Sequence, residues 1–79
     1  MKWNNAIEQI EAALKANVDI YVEYHKSWKR NDNRIAKVDR IVSYPWKNGV
    51  CKGIVLGHDY IHEVGWIIDD VRKEGWNND

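Results

Sequence analysis

The stretch RIAKVDRIVSYPWKNGVCKGIVL, residues 34–56, carries two β-rich segments separated by a strong turn signal. Residues 35–44 are rich in β-branched side chains, but their apolar–polar alternation slips near Asp39–Arg40, which predicts a β-bulge that curves the sheet. In PWKNG, proline begins the turn and the Asn-Gly pair suits a positive φ. We therefore expect residues 50–56 to pair with residues 35–44 as a hairpin. Gly53 inside the second strand predicts a bend or a close backbone approach.

The N-terminal segment has the period of a helix. Its apolar side chains recur at three- and four-residue spacing: Trp3, Ile7, Ile10 and Leu14. This pattern predicts an amphipathic helix over residues 5–16. Asn5 and Glu8 have the spacing of a capping box, and Asn17 suits a left-handed residue that ends the helix.

The period changes after the helix, and residues 18–25 alternate as in a half-buried strand. Residues 58–73 fit two patterns, because Ile61, Val64, Ile68 and Val71 have helical spacing whereas residues 60–66 alternate. We expect a short strand or turn through Val64, then a helix from about Gly65 to Lys73. Residues 74–79 are expected to form a frayed tail.

These elements predict an α+β fold. It consists of an N-terminal amphipathic helix, a three- to four-stranded antiparallel sheet that could curl like a small barrel, and a short C-terminal helix. At 79 residues the chain is expected to be a single small globular domain, because it cannot divide its apolar residues between two cores. Five Trp and four Tyr residues can anchor such a core, and oligomerisation is another way to stabilise it.

Charge is balanced overall but unevenly distributed. Twelve basic and twelve acidic residues give a net charge of zero, which argues against a domain that binds polyanions over its whole surface. Residues 26–40 hold six basic and two acidic side chains, whereas residues 58–79 hold six acidic and two basic ones. A dipolar molecule of this kind could use either end on a partner, or pair its ends head to tail in a homo-oligomer.

The single cysteine, Cys51, excludes an internal disulfide and a zinc module built from several cysteines. The sequence has no apolar run typical of a signal peptide and none long enough to span a bilayer. We therefore expect a cytoplasmic protein that does not contact the membrane.

Residues 57–66, GHDYIHEVGW, hold two of the three histidines. On a helix His58 and His62 would lie one turn apart and could share a zinc ion. However, Asp59 stands where the His-Glu-x-x-His motif needs its glutamate. On a strand the two histidines would be about 13 Å apart. We therefore expect no metal and no cofactor, with His58 and His62 as the minority alternative.

No set of residues predicts catalysis. Cys51 lies in a predicted strand, where cysteine usually behaves as a small apolar residue. Asp69 and Asp70 are adjacent, and on the expected helix they would point about 100° apart. A chain of this size also has little room for both a core and an enclosed pocket. We expect that the protein is not an enzyme.

The basic segment HKSWKRNDNR, residues 25–34, has the composition of a nucleic-acid contact. Its cations could neutralise phosphates and its tryptophan could stack on a base. The residues of this alternative are Lys26, Trp28, Lys29, Arg30 and Arg34. A solvated loop whose charges serve solubility is the competing interpretation.

Trp28 and Trp46 stand among polar residues, and exposed tryptophans are enriched in binding hot spots. They could also fold back to cover a thin core. We expect a non-enzymatic protein that binds another protein, as an inhibitor or adaptor. The residues expected to contact that partner are Trp28, Lys29, Arg30, Arg34, Trp46, Asp69, Asp70 and Glu74.

The order of strand, polar loop, RIAKVDRI and hairpin resembles that of small SH3-like or Sm-like barrels, including modules of bacterial transcription regulators. The resemblance is one of element order, and it implies a curled sheet without assigning any site residue. The small, aromatic-rich composition is also similar in type to accessory proteins of phages and mobile elements. That similarity implies a protein that acts by covering a host protein.

Overall fold

One helix and five strands make up the fold, and the computed structural model describes residues 1–73 of the chain. The elements follow in the order α1 (Trp3–Lys15), β1 (Ile20–Lys26), β2 (Arg34–Trp46), β3 (Gly49–Leu56), β4 (Asp59–Ile61) and β5 (Trp66–Lys73). The expected frayed tail, residues 74–79, lies outside the described residues, and so does Glu74 of the predicted partner surface.

Helix α1 begins two residues earlier than predicted. Lys2 is its N-cap and makes no side-chain capping bond, so the capping box predicted at Asn5 and Glu8 is wrong. The C-terminal prediction is confirmed, because Asn17 has a φ of 63°. Backbone bonds from Asn17 and Val18 to the last helical turn close the end as a Schellman motif.

The strands form one antiparallel sheet in the order β4-β3-β2-β1-β5. The α+β class and the antiparallel sheet are therefore confirmed. The strand count is wrong, because five strands form instead of three or four, and the sheet does not close into a barrel. Strands β4 and β5 are its two edges.

Strand β2 changes partner along its length. Residues Arg34–Lys37 pair with β1, and the rest pairs with β3 across a register shift between Val38 and Arg40. Asp39 is the additional residue at this shift, so the predicted bulge is confirmed. The hairpin to β3 is also confirmed, although the positive φ of its turn falls on Lys47 and not on the Asn-Gly pair.

The C-terminal helix predicted over residues 65–73 is wrong, because this segment forms strand β5 on the outer side of β1. The register shifts between Glu23 and Tyr24, which leaves Asp69 as an additional residue in β5. Buried Ile68 and Val71 are therefore three positions apart while facing the same side. A bulged strand thus reproduces the spacing that had suggested a helix.

The core lies between α1 and the inner side of the curved sheet. Helix α1 packs mainly against β5. The largest side chains that are fully buried come from the helix and from four of the five strands: Ile10, Val22, Ile54, Leu56, Ile61 and Ile68. Among the described residues, no buried side-chain nitrogen or oxygen lacks a hydrogen-bond partner. Neither Trp28 nor Trp46 is among the side chains that form this core or are partly buried against it.

Candidate protein-binding surfaces

Trp28 lies in the loop between β1 and β2, and its side chain is 68% exposed. The loop is held in place because the Ser27 amide donates a hydrogen bond of 3.0 Å to the Gly65 carbonyl. The Trp28 ring lies close to Gly65, and the Lys26 ammonium is 5.8 Å from the ring centroid. The indole is therefore both exposed and positioned, as in an aromatic anchor that needs little ordering on binding.

Arg34, one of the predicted contact residues, is engaged inside the fold. Its guanidinium donates to Asp32 at 2.9 Å and to Asp59 at 3.2 Å. The Arg34 charge holds the pKa of Asp32 below its usual value, mainly through the hydrogen bond and also through Coulomb attraction. Asp59 also accepts a hydrogen bond of 2.5 Å from the Tyr24 hydroxyl. Arg34 therefore joins the loop to the start of β4.

The two predicted acidic contact residues in β5 also have partners within the fold. Asp69 meets Nδ1 of the buried His25 at 2.7 Å and accepts a bond from Asn33. Asp70 accepts bonds from the Val71 amide and the Arg72 side chain. Asp69 therefore fastens the edge strand β5 to β1 and to the loop, whereas the bonds of Asp70 lie within β5.

The fold therefore brings the basic and acidic parts of the sequence against each other. Of the predicted cations, Arg34 is neutralised by carboxylates. Asp69 of β5 lies beside the loop, because it accepts a hydrogen bond from Asn33. Three cations, Lys26, Lys29 and Arg30, make no ion pair within residues 1–73. The local positive charge is consequently lower than the sequence of residues 26–40 suggests.

Trp46 ends β2 at the hairpin, and 46% of its surface is exposed. Trp28 precedes the other end of the same 13-residue strand. A straight strand of that length would span about 40 Å, although the bulge shortens the path. The structure does not bring the two tryptophans together, so each belongs to a separate surface.

An aromatic cluster covers the side of the β2–β3–β4 sheet that faces away from α1. His62 lies 6.1 Å from the ring centroid of Tyr44 and 5.8 Å from that of Tyr60. Tyr44 pairs with Cys51 across the hairpin, and its burial raises the pKa of the Tyr44 hydroxyl, with Cys51 and Tyr60 adding to the effect. Because side chains alternate along a strand, Trp46 continues this surface beyond Tyr44. We call Tyr44, Trp46, Tyr60 and His62 the aromatic face.

Gly53 supports the aromatic face by its lack of a side chain. A Cβ atom built on Gly53 would lie 2.5 Å from the Tyr60 hydroxyl oxygen and 2.6 Å from a ring carbon. The tyrosine therefore lies directly over the glycine backbone, which confirms the close approach predicted at Gly53 and shows that the approaching group is a side chain.

The two histidines of the zinc alternative do not lie on a helix. His58 is exposed in the turn after β3, whereas His62 follows β4 and lies against Tyr44 and Tyr60 in the aromatic face. Within residues 1–73 no group of three or more His, Cys, Asp or Glu side chains is arranged to hold a metal ion. The spacing of His58 and His62 therefore lacks the helical geometry on which the zinc interpretation depended.

The aromatic face was not predicted from the sequence, whereas the exposure of Trp28 and Trp46 was one of two alternatives that the sequence left open. The members of the aromatic face are separated in the sequence and come together through the hairpin register and the short strand β4. The signal was present in the alternation of Tyr44 and Trp46, combined with a glycine at position 53. It could be used only once the pairing of β3 with β4 was known.

Comparison of the chain with protein-family models, with curated proteins and with solved structures finds no match. Within residues 1–73 no helix is both long and apolar enough to cross a membrane. Functional inference therefore depends on the exposed surfaces themselves.

Proposed function

We propose that this chain is a non-enzymatic, cytoplasmic binding domain that docks on another protein as an inhibitor or adaptor. The observation that carries the proposal is the exposure of large apolar side chains at the β2–β3 hairpin. Trp46, in β2, is 46% exposed, and Val50, in β3 of the same hairpin, is 72% exposed. Because neither side chain belongs to the core or is partly buried against it, covering the core does not account for their position.

The hairpin has the composition of an interface centre. Trp and Tyr are enriched among residues that dominate binding energies, and a single hot-spot side chain contributes about 2 kcal/mol or more. Trp46 adjoins Tyr44 and Tyr60 of the aromatic face, so that its contact area is continuous with other rings. Trp28 offers a second anchor at the far end of β2, flanked by Lys29 and Arg30.

The proposal is tested by capturing partners with the immobilised domain and measuring the affinity of the purified partner. We expect Trp46→Ala to weaken binding by roughly 30-fold, the equivalent of one hot spot, and Trp28→Ala to show whether the second anchor is used by the same partner. Ile35→Ala is the matched control, because Ile35 is also 46% exposed but lies away from the hairpin. If both tryptophan variants are folded and bind the partner as the wild type does, the proposal is wrong.

Nucleic-acid binding at the β1–β2 loop is the second candidate function. It is favoured by the exposed, positioned Trp28 ring beside Lys26, with Lys29 and Arg30 making no ion pair within residues 1–73. The neutralisation of Arg34 by two carboxylates weighs against it. A single-stranded oligonucleotide should then bind with an affinity that falls steeply as salt rises. Absence of a mobility shift at low salt would exclude this function.

A further inference from the structure

The first half of β3 has an unpaired backbone edge within the described part of the chain. Strand β4 pairs only with Ile54, Val55 and Leu56. Strand β4 ends at Ile61, and residues 63–65 form a turn. No described strand therefore lies beside residues 49–53 on the side opposite β2.

The hairpin register determines which backbone groups face that edge. Trp46 and Gly49 flank a two-residue turn, which makes them a hydrogen-bonded pair. Because the bonds alternate along an antiparallel ladder, Cys51 and Gly53 also bond to β2, whereas Val50 and Lys52 direct their N–H and C=O groups away from it. Two residues thus present the donor and acceptor pattern that another strand would pair with.

A groove runs beside this edge, between β3 and α1. Trp3 and Ile7 of the helix and Val50 of the strand supply its apolar lining. The groove also contains an ion pair between Lys52 and Glu11, which bridges the strand and the helix. An added strand would direct alternate side chains into this groove and the others toward the aromatic face.

The remaining charges of the groove are acidic. Glu8 and Glu63 line it, and neither makes an ion pair within residues 1–73. Since Lys52 is neutralised by Glu11, the groove presents two uncompensated carboxylates. These favour a ligand that carries positive charge.

We propose that the groove between α1 and β3 binds an extended, basic segment of a partner protein, which adds as a strand to β3 at Val50 and Lys52. This inference rests on the proposed protein-binding function and names the chemistry of the partner. Strand addition derives affinity from main-chain hydrogen bonds and specificity from alternate side chains. Here the alternate side chains are an apolar one against Trp3 and Ile7 and basic ones near Glu8 and Glu63.

The test uses a synthetic, fluorescently labelled hexapeptide, Lys-Thr-Val-Thr-Lys-Thr, whose first, third and fifth side chains face one side and can enter the groove together. Glu-Thr-Val-Thr-Glu-Thr is its charge-reversed counterpart. Fluorescence polarisation should show the basic peptide binding at least roughly tenfold more tightly. The double variant Glu8→Gln/Glu63→Gln should weaken the basic peptide by roughly fivefold to tenfold. Asp19→Asn is the control, because Asp19 pairs with Lys37 outside the groove.

Strand addition is tested separately from charge by N-methylation of alternate amides in the basic peptide. One of the two methylated registers should lose binding, because its hydrogen bonds to Val50 and Lys52 are removed. In NMR spectra the unmodified peptide should shift the amide signals of Val50 and Lys52. Val50→Pro removes one of these amides without removing a bond to β2, and the methylated peptides keep the test decisive if this variant does not fold.

Several outcomes would overturn the inference. These are equal affinity for the basic and acidic peptides, indifference to N-methylation in both registers, or signal shifts confined to the β1–β2 loop. A dimer seen by sedimentation, with the same two amides protected in the absence of peptide, would assign the edge to a second copy instead. Partner binding that requires Trp46 but not Glu8 or Glu63 contradicts only this inference. Peptide binding in the groove with both tryptophans dispensable contradicts only the anchors of the proposed function.

Discussion

The Tyr24 side chain is 2% exposed and donates its hydrogen bond to Asp59, which also accepts from Arg34. Burial raises the pKa of the Tyr24 hydroxyl well above its usual value, and the hydrogen bond to Asp59 raises it further. The ring also contacts Trp66, with centroids 5.6 Å apart. A single phenol thus connects the core, the loop and the first residue of β4.

This raised pKa predicts a stability loss at alkaline pH. The unfolded chain loses the Tyr24 proton near its ordinary pKa of about 10, whereas the folded chain retains it. The contribution is therefore fully present below about pH 10 and is lost as the pH rises toward the folded pKa. Urea unfolding between pH 8 and 12 should show a smaller alkaline decline for Tyr24→Phe than for the wild type. At neutral pH this variant should lose about 1 kcal/mol.

Tyr21→Phe is the control for this measurement, since it removes another phenol from the same strand. An alkaline decline that is equally reduced in both variants would contradict the assignment to Tyr24. The result would then reflect the general ionisation of tyrosines in the unfolded chain.

The end of α1 depends on one residue with a left-handed backbone. Asn17 has a φ of 63°, which asparagine tolerates and a β-branched residue does not. Asn17→Val should therefore lower the free energy of unfolding by about 1–2 kcal/mol, while Asn17→Gly should leave it within about 0.5 kcal/mol. Thermal or chemical unfolding measures both changes.

Ala16→Val provides a matched control, because Ala16 is exposed and has a φ of −86°. Introducing valine at position 16 should lower the free energy of unfolding much less than introducing it at position 17. Equal losses at the two positions would mean that helix propensity, and not the left-handed conformation, determines the effect.

Prediction from sequence succeeded where local chemistry decides the conformation. The helix period of α1, its end at Asn17 and the hairpin turn all depend on residues close together in the chain. It failed at β5, because a bulged strand and a helix both place Ile68 and Val71 on one side. A similar break in the apolar–polar alternation was recognised as a bulge in β2, because a clear turn signal had already identified that segment as half of a hairpin.

The candidate surfaces were predictable only in part. Exposure of Trp28 and Trp46 was one of two open alternatives, since polar neighbours also suit an aromatic side chain that folds back over the core. The partners of Arg34 and Asp69 could not be predicted, because they depend on which strands lie together. Alternate pairings of the same charges would have left the basic patch intact.

Residues 1–73 form a single small core, so the domain should tolerate few losses from it. Ile10 is fully buried at the contact between α1 and the sheet. Ile10→Ala should lower the free energy of unfolding by about 2–5 kcal/mol, a large share of the total for a domain of this size. Chemical denaturation measures the loss. Gln9→Ala, on the exposed side of the helix, should change stability little, and similar losses for both variants would contradict the described packing.

The two bulges also have a consequence for how the sheet assembles. A slip of two residues along β2 or β5 would keep each side chain on its own face of the sheet, so the apolar pattern alone does not exclude it. An additional aspartate in each, Asp39 and Asp69, allows the ladder to close in only one alignment, because sliding either strand would place the unpaired residue inside regular pairing. The same two residues that bend the sheet thus prevent the strands from slipping. They select one alignment where the strands would otherwise permit several.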